Sequence, residues 1–285
     1  MSIKKKYCIL IVTLIFAVLL SLGGVVYYHA EWWYPAWYAM RPLSAPDLTQ
    51  VSLDGELRHW TLEELLAMEN VTRSNSLLLV NSAHPLPEGY VAELIEYNGA
   101  KMHPLMRDPY ISMRDDLQKK TGVRVYVASD YRTAEEQAAI LESSKEGIAA
   151  ALGCSEHEAG LALDIYAPYY AGMNLLRSRA GKLMQEICSD YGYIIRYPFG
   201  KEEITGIDYE PWHVRYVGAP HATIMTDSGL TLEEYVALLA PNTWYQSGEY
   251  WIARLSADSL YLPTEFTHCD ISPDNTGYYI VTVQQ

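Results

Sequence analysis

The first pattern along the chain is an uncharged, mostly apolar run from residue 7 to about residue 28. Its roughly 22 residues are long enough to cross a hydrocarbon core of roughly 30 Å as a helix. Lys4-Lys5-Lys6 precede it, and Tyr27-Tyr28 and Trp32-Trp33-Tyr34 follow it in the manner of an interfacial aromatic belt. The pattern predicts an uncleaved transmembrane anchor over 7–28. Residues 1–6 would be a cytoplasmic tail, with everything after the anchor outside. A cleaved signal peptide would carry a shorter apolar core and a small-x-small site after it.

Beyond the anchor the pattern breaks into short elements. Pro35, Pro42 and Pro46 exclude a long helix in 29–75, which reads as a juxtamembrane connector. Within it, Thr61 with Glu64 three residues on predicts a capped amphipathic helix over 61–69. The apolar run 76–80 has the form of a buried strand, and 81–87 that of a proline-stiffened loop. Helices are expected over 111–120, stopped by Gly122, and over 134–143, capped by Thr133 with Glu136. Two more are expected over 175–191, ending near Gly192, and over 232–239, between Thr231 and Pro241. β-branched and aromatic runs predict strands at 123–128, 161–166, 193–197 and 212–217. After Pro241, strands at 250–255, 259–262 and 278–283 and a turn at 274–277 read as a β-rich appendage over 241–285. It is too small to be stable alone and should pack on the main domain.

The formal charge of −14, with 35 acidic against 21 basic residues, excludes a polyanion-binding role, which needs Lys and Arg to neutralise phosphates. No nucleic-acid partner is expected. The 24 tyrosines against three phenylalanines suit either a groove for an extended polar ligand or a β-rich core. Cys8 lies in the apolar run, leaving Cys154, Cys188 and Cys269 outside. Three is no disulfide framework, although one bridge among them remains open.

Two clusters carry chemistry. Ser155-Glu156-His157 leads through Gly160, which permits a tight backbone, into the apolar strand that holds Asp164. A buried, unpaired carboxylate between Leu163 and Ile165 would be costly, so it needs a metal ion or a buried Arg. In Glu210-Pro211-Trp212-His213 the proline pins Glu210 in extended geometry at a strand start. Two imidazoles and a carboxylate, with an open position and a separate Glu to move protons, are the inventory of a catalytic zinc site. His157, Asp164 and His213 would be the ligands and Glu210 the base. The blander alternative is a surface pair between Glu210 and Arg215.

The stretch SEHEAGLALDI resembles the S-x-H-x-x-G-x-A-x-D signature of zinc D-alanyl-D-alanine carboxypeptidases of the VanY type, with their relatives the VanX dipeptidases and the L,D-carboxypeptidases. EPWHVRYVG matches that family's E-P-W-H-x-R-Y-V-G block. Ser129-Asp130-Tyr131-Arg132-Thr133 with Gln137 resembles its S-G-Y-R-S/T-x-x-x-Q segment, and the resemblance spans roughly residues 76–240. It implies an α+β fold, a central antiparallel sheet with flanking helices forming a zinc peptidase domain over 76–240. It also implies one Zn2+ per chain, Arg132 stabilising the oxyanion, and Ser155 and Gln137 contacting the substrate's terminal end. Asp130 departs from the family's Gly and could pair with Arg132. Cys154, at Cys-x-x-His spacing, is a conceivable further ligand.

The implied activity removes the terminal D-Ala from peptidoglycan stem pentapeptides at the outer face of the cell membrane. That deletes the D-Ala-D-Ala group which glycopeptides such as vancomycin bind. The alternatives are an L,D-carboxypeptidase trimming tetrapeptides and, from another class, a non-catalytic cell-wall binding or sensor module. A D,D-dipeptidase fits less well, because its free dipeptide substrate is cytoplasmic.

Overall fold

Leu163 and Ile165 alternate with Asp164 along one strand, and this alternation organises the catalytic half of the molecule. The protein is seen as a computed structural model that describes residues 3–53, 57–143 and 150–285. An antiparallel four-stranded sheet runs in the order Tyr126–Ser129, Ala162–Tyr166, His213–Tyr216, Tyr193–Ile195. On one face Leu163, Ile165 and Val214 bury against Met106, Tyr110, Met113, Leu117, Ala180 and Met184. Those residues come from the short turn Pro104–Met106 and from the helices Arg107–Thr121 and Arg179–Ile187. The register sets Asp164 opposite both His213 and Ser129. Slipping it by one residue would turn Asp164 into the core, so burial of Leu163 and Ile165 fixes the site as firmly as the fold.

The helix Arg107–Thr121 ends at Gly122 in the left-handed region, as expected. The helix Ala134–Ser143 carries the Thr133–Glu136 reciprocal cap, and Leu232–Leu238 and Leu62–Leu66 start with full capping boxes. The expected single helix over 175–191 is three pieces: Gly172–Arg177, Arg179–Ile187 and Cys188–Tyr191. Ser178 breaks it. Its backbone is extended and its Oγ accepts from the Gly181 amide at 2.8 Å, so it caps a new helix.

The run 76–80 is buried but is not a strand. The carbonyls of Ser76 and Leu78 accept from the Arg215 guanidinium at 2.9 and 2.8 Å, so a side chain does the work of a neighbouring strand. The connector and the appendage also differ from expectation. Thr49–Val51, Trp244–Ser247, Tyr250–Leu255, Tyr279–Gln284, His268–Pro273 and Val71–Arg73 form one six-stranded sheet in that order. Segments before the catalytic region therefore cover both edges of the C-terminal strands, which would otherwise expose unpaired backbone. Leu57–His59 likewise pairs with Tyr261–Pro263.

At the N-terminus Ile3–Tyr28 is helical and is followed by the helix Ala30–Ala39, which contains Pro35. Among the described residues no single helix is long and apolar enough to cross a membrane. Ile11–Val26 and Ala30–Ala39, bent by 73° to each other, pass together by length and composition. Residues 1 and 2 of the expected tail, and 144–149 between Arg132 and His157, lie outside the described residues. Cys154, Cys188 and Cys269 are all free and buried, so the possible bridge among them is not formed.

Candidate metal centre and active site

His157 sits in the turn before the strand Ala162–Tyr166. That turn needs Gly160: its φ is +72°, and a Cβ there would meet Leu94 Cδ2 at 2.8 Å. The Nδ1 of His157 lies 2.7 Å from the Asp130 carbonyl, which can only accept, so Nδ1 carries the proton and Nε2 is free. Nε2 lies 3.4 Å from Asp164 Oδ1, and His213 Nδ1 approaches the same oxygen at 3.1 Å. One ligand atom from each of His157, Asp164 and His213 falls within 4.8 Å of the others. Two imidazole nitrogens and a carboxylate oxygen, each oriented from outside, fit a divalent ion such as zinc with a position left open. Cys154 is not in this cluster. Burial raises its thiol pKa, which keeps it protonated and inert.

Beneath the triad lies a group that sequence reasoning missed. Glu156 accepts from Arg196 Nε and from Arg215 Nη1, both at 2.6 Å, and its other oxygen lies 3.4 Å from His213 Nε2. Arg196 also grips Glu233 at 2.6 and 2.9 Å. The side chains of Glu156, Arg196 and Arg215 are all 0 % exposed. Arg215 is thus no surface partner of Glu210; it is a buried strut. Glu156 stands inside the quoted motif and Arg215 inside the second block, but nothing in their spacing announces that they meet.

Charge follows from this packing. Burial opposes ionisation of Asp164, yet His157 and His213 hold its carboxyl well below the usual range. Burial of Glu156 is likewise outweighed by Arg215 and Arg196, and its carboxyl is held far down. Burial would lower the His213 pKa, but Asp164 and Glu156 raise it to about 9. Burial lifts Glu210 to about 7, against the pull of His213 and Arg132.

The seven residues expected at the site, Arg132, Gln137, Ser155, His157, Asp164, Glu210 and His213, all line one cavity of about 150 Å³, joined by Tyr197, Ile207 and Trp212. Glu210 Oε2 lies 3.7 Å from His213 Nδ1. Its backbone is fixed by Tyr197 O, and the next carbonyl, of Pro211, accepts from Gln185 Nε2 at 2.8 Å. The Tyr197 ring stands 4.8 Å from His213. Arg132 donates to Gln137 Oε1 at 2.6 Å and to Ser129 Oγ at 3.0 Å. Asp130 does not pair with it; its carboxylate accepts from the Lys101 backbone amide. Gln137 is only 1 % exposed, so its amide is committed to the interior of the site.

The sequence pattern of the VanY family, D-alanyl-D-alanine carboxypeptidase, matches residues 99–219. A D-alanyl-D-alanine carboxypeptidase from Enterococcus faecium is 32% identical over 245 residues, covering 78% of this chain and 79% of that protein. Among solved structures, a mutant of the vancomycin-resistance D,D-pentapeptidase VanY from a VanB-type cassette, in complex with Zn(II), is 35% identical. It has a TM-score of 0.51 and covers 57% of this chain and 99% of its own. The vancomycin-resistance D,D-dipeptidase VanXYg, in complex with a D-Ala-D-Ala phosphinate analogue, is 28% identical. Its TM-score is 0.62, covering 81% of this chain and 99% of its own. The mixed α/β fold is therefore that of these peptidases. The chain belongs to the VanY family of D-alanyl-D-alanine carboxypeptidases.

Proposed function

We propose that the protein is a zinc D,D-carboxypeptidase that removes the terminal D-Ala from stem pentapeptides, and so removes the target of glycopeptide antibiotics. The observation that carries this reading is the meeting of His157, Asp164 and His213 with Glu210 and Arg132 in one cavity. The names of the relatives support the substrate. Bound at the triad, zinc would supply a Lewis acid that polarises the scissile carbonyl and makes water nucleophilic.

The chain's own residues do the rest. Glu210 takes the proton of the attacking water and returns it to the leaving amine. Arg132 faces the developing negative oxygen. Ser155 is left to meet the substrate's terminal end. Gln137, expected beside it, has both ends of its amide engaged, with Arg132 and with the Ala150 carbonyl at 2.6 Å. It therefore acts by positioning Arg132. The reading places the enzyme in the cell membrane through residues 7–28, with 76–240 as the peptidase domain outside. Chelation of the full-length protein should stop alanine release, and stoichiometric zinc should restore it. Undiminished release from stripped protein would refute the zinc assignment.

His213→Ala removes one ligand of three, and the purified variant should hold well under one zinc per chain; a full complement would overturn the ligand set. In stripped protein His213 keeps its proton up to about pH 9. Its raised pKa contributes stability that is fully present below the ordinary value of 6.5 and is lost as pH rises through about 9. Zinc must displace that proton. Apparent affinity should therefore climb from pH 6.5 toward 9 by up to about tenfold per unit. Chelator competition, corrected for the chelator's own protons, measures this; a flat corrected affinity would contradict it.

A further inference from the structure

The helix Ala30–Ala39 has two unlike faces. Ala30 and Tyr34 are buried against Leu176, with Tyr38 and Tyr209 packed alongside. The Tyr34 hydroxyl donates to Lys182 O at 3.0 Å and to Glu186 Oε1 at 3.1 Å, and Tyr38 donates to Gln185 O. Arg177 holds the turn before the helix through Tyr28 O at 2.8 Å and lies 3.4 Å from Glu31. The other face carries Trp33, Ala36, Trp37 and Met40, an i, i+3, i+4, i+7 apolar stripe with Trp32 beside it. Trp32, Trp33, Trp37 and Met40 are 69, 37, 53 and 76 % exposed, and none of them belongs to a buried cluster.

We propose that this outward face is a second membrane contact, with the helix lying in the headgroup layer of the bilayer and its tryptophans as the buried anchors. The inference rests on the proposed anchoring of residues 7–28. Two observations favour a bilayer over another protein. The stripe continues directly from Ile11–Val26, whose large apolar side chains are also exposed. The 73° bend, tied by Trp33 Nε1 to Val26 O at 2.7 Å, turns the chain from a spanning direction toward the membrane plane. Because Gln185 ties the inner face of this helix to the Pro211 carbonyl, the contact also sets the height of the Glu210 cavity above the bilayer.

The test uses the full-length protein in phosphatidylcholine nanodiscs whose lipids carry bromine near the headgroup or near the chain end. Tryptophan fluorescence should be quenched more by the shallow bromine, and W33S/W37S should lose about half of that quenching. Hydrolysis of a soluble pentapeptide should be the same in both proteins, because these side chains face away from the cavity. Quenching that ignores bromine depth or survives W33S/W37S would overturn the proposal, as would a dimer that shields the stripe without quenching. If the chain fails to enter nanodiscs, the anchor falls and the contact with it. If it enters and hydrolyses peptide but is not quenched, only the contact falls.

Discussion

Glu156→Gln should destabilise the fold by about 3–5 kcal/mol, the usual cost of removing one partner from a fully buried ion pair. The side chain keeps its shape, but Arg196 and Arg215 lose the carboxylate that both reach at 2.6 Å. Arg196 retains Glu233, whereas Arg215 is left with the Ser76 and Leu78 carbonyls. Denaturant unfolding of the two proteins measures the difference, and a change under about 1 kcal/mol would mean the cluster is not a strut. The variant should also bind zinc about 10–100-fold more weakly, because a neutral amide replaces the carboxylate behind the outer nitrogen of His213. The sign with pH follows from the depressed carboxyl of Glu156. Its contribution is present above the ordinary carboxylate range and is lost as pH falls below it. The gap between wild type and variant should therefore close in acid.

Glu210→Gln should lower kcat by about 10²–10⁴-fold while leaving zinc bound. Glu210 sits beside the triad and outside it, with Oε2 3.7 Å from His213 Nδ1. Removing its charge should abolish proton transfer without dismantling the ligand set, the reverse of His213→Ala. The pH profile carries a second signature. Protonation of Glu210, whose pKa burial lifts to about 7, should produce the acid limb of kcat/KM. A bound dication moves that limb lower. The variant should lack it. Substantial residual turnover with zinc in place would assign the base elsewhere.

The meeting of His157, Asp164 and His213 was legible because each is set by a local constraint: the Gly160 turn, the strand alternation around Asp164, and the proline before Trp212. The capping boxes at Thr61 and Thr133 and the cap at Thr231 were legible for the same reason. What was hidden is contact between distant segments. Nothing near Arg215 indicates that it would satisfy the carbonyls of residues 76 and 78 and so remove the need for a strand there. The pairing of Thr49–Val51 and Val71–Arg73 with the C-terminal strands depends on which edges lie open after the catalytic region has folded, and no periodicity records that. Ser178 is of a residue type that caps helices, but helical periodicity on both sides of it concealed the break.

The most direct measurement gives the zinc-loaded full-length protein a stem pentapeptide ending in D-Ala-D-Ala and, separately, the corresponding tetrapeptide, with products read by mass spectrometry. Release of a single alanine from the pentapeptide alone is the expected result. Cleavage of the tetrapeptide alone would make the protein an L,D-carboxypeptidase, and no cleavage of either with zinc bound would contradict the enzyme assignment.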